Sequence, residues 1–331
     1  MIEALASLVF AAHLLLMDVA MAGPLAAVTL EWCGTRKNSP LACELARTVA
    51  RWSIITLLVG MVLGGLLVGF DWHAPDGLYA DAMRSLPAPR YWYAGAELLF
   101  SLVCMVGYLA LAGRVGKLRW LQRTLAVLAS TNLLYHFPPL FAILSVAASR
   151  PELWRVTLDR PLLRQLTIDP EVVSRVLHAW LASAAVCGML VTALALRYFK
   201  ASESKASAQS LISWGARAAL VATLLQLPVG LWVLMQMPQA TMQRAMGGDL
   251  FATTMLVVAV AFVLRLLHVL AAVSLGETEP RQVVRAGATL VVVVALMAAA
   301  HRRLERPAPP QAGLAERHAS ITAVVSGVAN R

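Results

Sequence analysis

The chain alternates long apolar runs with short polar breaks, and the runs are too long for the buried strands or helices of a water-soluble fold. A membrane crossing takes about 20 mostly apolar residues at roughly 1.5 Å rise each. Eight stretches meet that length, approximately 3–30, 52–70, 92–113, 124–148, 172–196, 218–237, 250–275 and 283–300. The last is the weakest, because Arg285 leaves only a short apolar run behind it. The first could pass for a secretory leader with Ala20-Met21-Ala22 as cleavage site. It lacks a positive n-region, starts with Glu3 and runs too long, so it reads as a span. The pattern predicts an all-α, polytopic membrane bundle over 1–303 and a flexible C-terminal tail over 304–331, marked by Pro307, Pro309 and Pro310. No internal repeat or low-complexity block is visible in the sequence.

Composition agrees with this reading. The 331 residues are 59% hydrophobic and only 14% charged, with a mean hydropathy of +0.70. So few charges cannot cover a soluble surface, where about 25% is usual. The net charge of +10 is better explained by loops between spans than by nucleic acid. With the N-terminus outside, 14 Lys/Arg fall in inner loops and 8 in outer ones; five lie in the tail and Arg265 lies inside a span. That bias predicts N-out and C-out. Cys33, Cys43, Cys104 and Cys187 are too few and scattered for a disulfide framework, and no C-x-x-C-H run or zinc spacing occurs. The charged outer loop 150–170 is a candidate partner contact.

The informative residues are the titratable ones inside the spans, since each is costly in hydrocarbon unless paired or ligated. They are His13, Asp18, Glu97, His136, Arg175, His178, Arg265 and His268. Four of the seven histidines are thus intramembrane. Imidazole ligates haem iron through a neutral nitrogen, and bundles hold macrocycles between facing helices. His13, His178 and His136 fall in the outer half of the bilayer on three different spans. His268 lies nearer the inner face, at i,i+3 from Arg265. The plainer reading of a buried histidine is a hydrogen bond to a neighbouring helix. Arg265 is a propionate or headgroup partner, or a snorkelling side chain. Asp18 and Glu97 are weak candidates for a proton path. Gly60-x-x-x-Gly64 and Gly65-x-x-x-Gly69 permit close helix approach, and Pro138-Pro139 after His136 predicts a kink.

Several spacings resemble those of a known family. His13 is followed eighteen residues later by Glu31. The third span ends in Gly113-Arg114-Val115-Gly116-Lys117, and the fourth carries Ser130-Thr131-Asn132-Leu133. Asp169-Pro170 leads through Arg175 to His178, with Ala182, Gly188 and Met189 behind it. This order resembles the haem-bearing subunit I of cytochrome bd-type quinol oxidases over roughly residues 1–225. The resemblance implies that His13 and His178 are haem ligands, on one haem or on two, with His136 a third candidate and Arg175 stabilising a propionate or tuning the potential.

The departures limit what the resemblance implies. Trp92 and Phe100 stand where the family has two glutamates, with Glu97 one turn from the second. The long quinol-binding loop and the later methionine-bearing helix have no counterpart; His268, Met235 and Met237 are the nearest substitutes. The sequence therefore predicts a haem b-binding electron-transfer subunit of a respiratory oxidoreductase complex rather than an oxygen reductase by itself. It would sit in a bacterial inner membrane beside other membrane subunits, exchanging electrons with quinol or a c-type cytochrome, with a quinone as a possible second cofactor. The alternative is a haem-free structural or quinone-contacting subunit. A transporter is disfavoured because inverted repeats and paired broken helices are not seen.

Overall fold

The computed structural model describes residues 2–72, 78–114, 116–150, 153, 156–199 and 205–305. The proline-rich part of the tail, from 306 on, lies outside the described residues. The helices are α1 (Ile2–Arg36), α2 (Pro40–Trp72), α3 (Leu78–Arg84), α4 (Ala88–Ala110), α5 (Lys117–Ser149), α6 (Arg160–Thr167), α7 (Pro170–Leu196), α8 (Lys205–Gln236), α9 (Gln239–Gln243), α10 (Leu250–Ser274) and α11 (Pro280–Leu304). Eight of them (α1, α2, α4, α5, α7, α8, α10 and α11) are long and apolar enough to cross a membrane, and they coincide with the eight expected stretches. Several run beyond the expected bounds. α8 begins at Lys205, thirteen residues before the apolar run, because the helix continues past the hydrocarbon as a polar turn. α3, α6 and α9 are short helices at the end of the bundle where α1 begins, and α6 lies within the stretch 150–170 expected as a charged loop.

Local chemistry sets the helix starts. The Asp169 side chain accepts the Glu171 N–H, with Pro170 in the first turn of α7, and Asp249 caps α10 through the Ala252 N–H. Between α9 and α10 a π turn over Arg244–Gly248 places Gly247 at φ +125°, which only glycine takes without strain.

Packing divides the bundle into two four-helix units in chain order. α1, α2, α4 and α5 form one ring of neighbours; α7, α8, α10 and α11 form the other. The units meet mainly through α1 against α7, α1 against α11 and α5 against α7. These contacts are preserved if α1 is exchanged with α7 and α5 with α11, so the two units are related by an approximate two-fold along the bundle. The sequence reading found no repeat, and the symmetry is one of helix order and helix contacts.

The equivalence extends to residues. On α1, His13, Asp18 and Gly23 are spaced five apart; on α7, His178, Ser183 and Gly188 have the same spacing. A Cβ on Gly23 would meet Ser53, and one on Gly188 would meet the backbone of Gly215 and Ala219. Eleven residues after Ser53 and Ala219, Gly64 and Gly230 lie against His13 and His178 respectively. Asp18 and Ser183, counterparts under the exchange, touch one another across the contact between units, the Ser183 hydroxyl donating to Asp18 Oδ1 at 2.8 Å.

Candidate functional site

His13 occupies the α1/α2 seam. A Cβ on Gly60 would lie 2.7 Å from Met17 Sδ, and one on Gly64 would lie 3.0 Å from His13 Cε1, so these two glycines are what let α2 close over the ring. His13 Nδ1 lies 2.8 Å from the Gly60 carbonyl oxygen. A carbonyl can only accept, so Nδ1 carries the proton and the neutral ring keeps its lone pair on Nε2. No other hydrogen bond ties the ring down among the described residues. An Nδ1–H···O=C bond of this kind is the usual outer support of a metal-ligating imidazole.

His178 occupies the equivalent α7/α8 seam. A Cβ on Gly230 would sit 3.5 Å from His178 Cε1 and 3.7 Å from Nδ1. His178 Nδ1 is buried without a hydrogen-bond partner among the described residues, a costly arrangement that calls for an explanation.

The two rings do not converge. At about 100° per residue, five residues turn a helix through roughly 140° beyond a full turn. Asp18 faces α7 and Ser183 faces α1, since they bond to each other. His13 and His178 therefore point away from the contact between units, each onto its own following helix. Two ligands of one iron would have to face each other. The two imidazoles thus lie in two separate seams, α1/α2 and α7/α8.

The other intramembrane candidates divide differently. His136 Nε2 lies 3.6 Å from Glu97 Oε1, and the neighbouring Asn132 amide donates to the Glu97 carbonyl oxygen and to Ser101 Oγ. These groups tie α4 to α5. Ser130 in turn donates to the Met21 carbonyl of α1, so the Ser130–Leu133 stretch acts as a helix bridge. Glu31 is paired with Arg123 at 2.7 Å, which also contacts the faces of Trp32 and Trp120, at the inner end far from His13. Arg265 and His268 are exposed on the outer surface of α10 and touch none of the other candidates. Met235 is 66% exposed. Gly65 and Gly69 have nothing within 4 Å of a built Cβ, so only the first of the two glycine pairs makes a seam.

Arg175 lies in a cluster that sequence reading only half found. It donates to Glu171 Oε1 at 2.7 Å and to Ser145 Oγ at 2.6 Å, and approaches Glu305 at 3.9 Å; its Nε is buried and unpartnered. Arg150 clamps the same Glu171 and Asp169 at 3.0 and 2.9 Å. Ser145 donates to Glu305, which also pairs with His301 at 3.0 Å. Residues from α5, α7 and α11 are thereby locked at the outer end. Burial alone would raise the Glu305 carboxyl, but His301, Arg175 and Ser145 outweigh it and hold the group at about 2. Asp169 is likewise pulled below the usual carboxylate range, against the opposing effect of burial, by Arg150 and the Glu171 N–H. Glu171-x-x-x-Arg175 and His301-x-x-x-Glu305 were readable as i,i+4 pairs; their meeting was not.

No protein-family model matches the chain, and no curated protein matches its sequence. Among solved structures, one chain of the bd oxidase from Geobacillus thermodenitrificans superposes with a TM-score of 0.70 at 12% sequence identity, over 91% of this chain and 86% of that one. At that identity the likeness establishes architecture. The protein is an integral membrane helical bundle with the fold of a bd oxidase chain.

Proposed function

We propose that this protein is a haem b-binding electron-transfer subunit of a respiratory membrane complex, seated in a bacterial inner membrane. The observation that carries the reading is the pair of equivalent imidazoles, His13 and His178, at matched outer-half positions in the two units. His13 has its Nε2 lone pair free and its Nδ1–H anchored to Gly60. His178 has a buried nitrogen left without a partner. Both features fit iron ligation, and the seams hold glycine where a flat ring would need close backbone approach.

A b-type haem, when bound, supplies a one-electron carrier. The chain's own residues would do the rest. His13 and His178 would each ligate a different haem. Gly60 would fix the His13 tautomer, and Gly64 and Gly230 would admit close packing. Arg175 donates through its terminal nitrogens to Glu171 and Ser145, and its Nε, buried without a hydrogen-bond partner among the described residues, would donate toward a propionate. Quinol or a c-type cytochrome would be the electron partner.

Dithionite-reduced minus oxidised spectra, with a pyridine haemochrome assay per mole of chain, test this. Sharp b-type bands are expected, with His13→Ala and His178→Ala each removing a different component. A featureless spectrum from protein purified with its native partners would sink the proposal. The histidines would then be structural, with His13 bridging α1 to α2 through its bond to Gly60.

A further inference from the structure

α10 buries one face and leaves the opposite face bare. Ala252, Ala259, Val263, Leu266, Leu270 and Val273 are buried at heptad-like spacing against α8 and α11. On the other side Val257 and Leu264 are 62% and 57% exposed, and Arg265 and His268 are exposed with them. Neither Arg265 nor His268 makes a hydrogen bond or ion pair among the described residues. Yet Arg265 lies nine residues inside the C-terminal end of α10, about 14 Å along the axis. The 25-residue helix exceeds the hydrocarbon thickness by only about 7 Å, so a centred α10 puts Arg265 roughly 10 Å below the nearer hydrocarbon boundary.

Snorkelling does not resolve this. Helical side chains lean toward the helix N-terminus, and for Arg265 that direction leads away from the nearer boundary and toward the bilayer centre. The argument holds whichever way the chain is inserted. A guanidinium so placed is costly in hydrocarbon, and a carboxylate at the same depth is the partner that would offset its charge. Among the described residues the helices packed together here do not supply it: α8, α10 and α11 contain no Asp or Glu at all. A second copy docked on the same face would set arginine against arginine.

We infer that the exposed Arg265/His268 face of α10 is an interface for a different membrane subunit, whose transmembrane helix presents a carboxylate at the depth of Arg265. This inference rests on the geometry of α10 and stands or falls independently of the haem reading. Charge complementarity in low dielectric would fix both the register and the identity of the partner helix.

The test uses the full chain in its native membranes. Arg265→Lys keeps the charge and supplies an amine; a hydrophobic carbodiimide then activates intramembrane carboxylates, and the amine displaces urea to leave an amide. The expected product joins the peptide containing position 265 to an Asp- or Glu-bearing transmembrane segment of a second protein. It is missing from the wild type, whose guanidinium forms no amide. His268→Lys, one turn away, provides a second site for the same readout. Native mass spectrometry is expected to show the same second protein bound to the wild-type chain and lost in Arg265→Leu. No cross-link from either lysine variant, with thermal melting as in the wild type, would overturn the inference. So would a cross-link to another copy of the chain, or a bound anionic phospholipid retained by the wild type and lost in Arg265→Leu with no protein adduct.

Discussion

Gly188→Ala is the most direct probe of how the second unit is held together. Gly188 lies where α7 and α8 cross, and a Cβ there would sit 2.7 Å from Ala219 N, 2.7 Å from the Gly215 carbonyl oxygen and 3.2 Å from Ala219 Cα. All three are backbone atoms, so no side chain can swing aside. Opening 2.7 Å to the 3.4 Å of ordinary contact separates the helices by about 0.7 Å locally, a gap that forfeits a quarter to a half of the dispersion attraction along the seam. Overpacking of this kind costs about 1–3 kcal/mol, and the backbone-on-backbone contact points to the upper part of that range. Gly23→Ala, the equivalent change on α1, meets side-chain atoms alone, the Ser53 hydroxyl, its Cβ at 3.3 Å and Val49 Cγ1 at 3.7 Å, and the hydroxyl can rotate; roughly 1 kcal/mol is expected there. Gly65→Ala meets nothing within 4 Å and is expected to be neutral or slightly stabilising, by up to about 1 kcal/mol from helix propensity. Reversible unfolding in one detergent, by denaturant or by heat, ranks the three. If Gly188→Ala unfolds within 0.5 kcal/mol of Gly65→Ala (~ the usual scatter of neutral surface changes), the crossing is not the tight contact described and the reasoning fails.

Two further expectations concern the outer cluster. Arg175→Leu leaves Glu171, with 3% side-chain exposure, supported by Arg150 alone; removing one partner of a buried ion pair is expected to destabilise by roughly 3 kcal/mol, whereas Arg175→Leu combined with Glu171→Gln is expected to recover most of that in a double-mutant comparison, and equal losses in both would contradict the pairing. The Glu305 carboxyl has a folded-state value depressed to about 2 from the ordinary 4.5, so its contribution is fully present above the ordinary value and is lost as pH falls through the folded one; the melting-temperature gap between wild type and Glu305→Gln is expected to be constant from pH 6 to 5 and to narrow toward pH 3, and a gap that widens with acid would refute the clasp.

Much of the architecture was legible because a twenty-residue apolar run is the strongest signal a sequence carries. The bounds were less legible: Lys205 and Pro40 begin helices well before the apolar runs do, since nothing in hydropathy marks a helix that continues into water. The repeat was invisible for a chemical reason. Between residues 13–23 and 178–188 only His13/His178, Leu16/Leu181, Ala20/Ala185 and Gly23/Gly188 are shared, leucine and alanine matches are commonplace in apolar helices, and the matched glycines on the following helices fulfil their role by lacking a side chain. Glu305 and Ser145 reach Arg175 from 130 and 30 residues away in sequence, a meeting that only the fold determines. The bare side of α10 was readable in principle, since the apolar stripe through Val263, Leu266 and Leu270 places Arg265 and His268 opposite it.

The two-fold relation sorts the four intramembrane histidines in a way that composition and spacing could not. His136 lies 3.6 Å from the Glu97 carboxylate, and His268 faces out of the bundle. His13 and His178 alone occupy equivalent places, on the first helix of each unit, against a glycine of the second. Their helices meet through Asp18 and Ser183, which turns both rings away from the shared contact. A bundle built this way offers two single-histidine seams rather than one bis-histidine pocket. On the proposed haem reading each seam would hold its own group through one imidazole, so loss of one imidazole would leave the opposite seam structurally intact. On that reading His13→Ala and His178→Ala are expected to give independent spectral losses; a single component abolished by either variant alone would refute the assignment of the two rings to separate groups, which rests on the Asp18–Ser183 contact turning them apart.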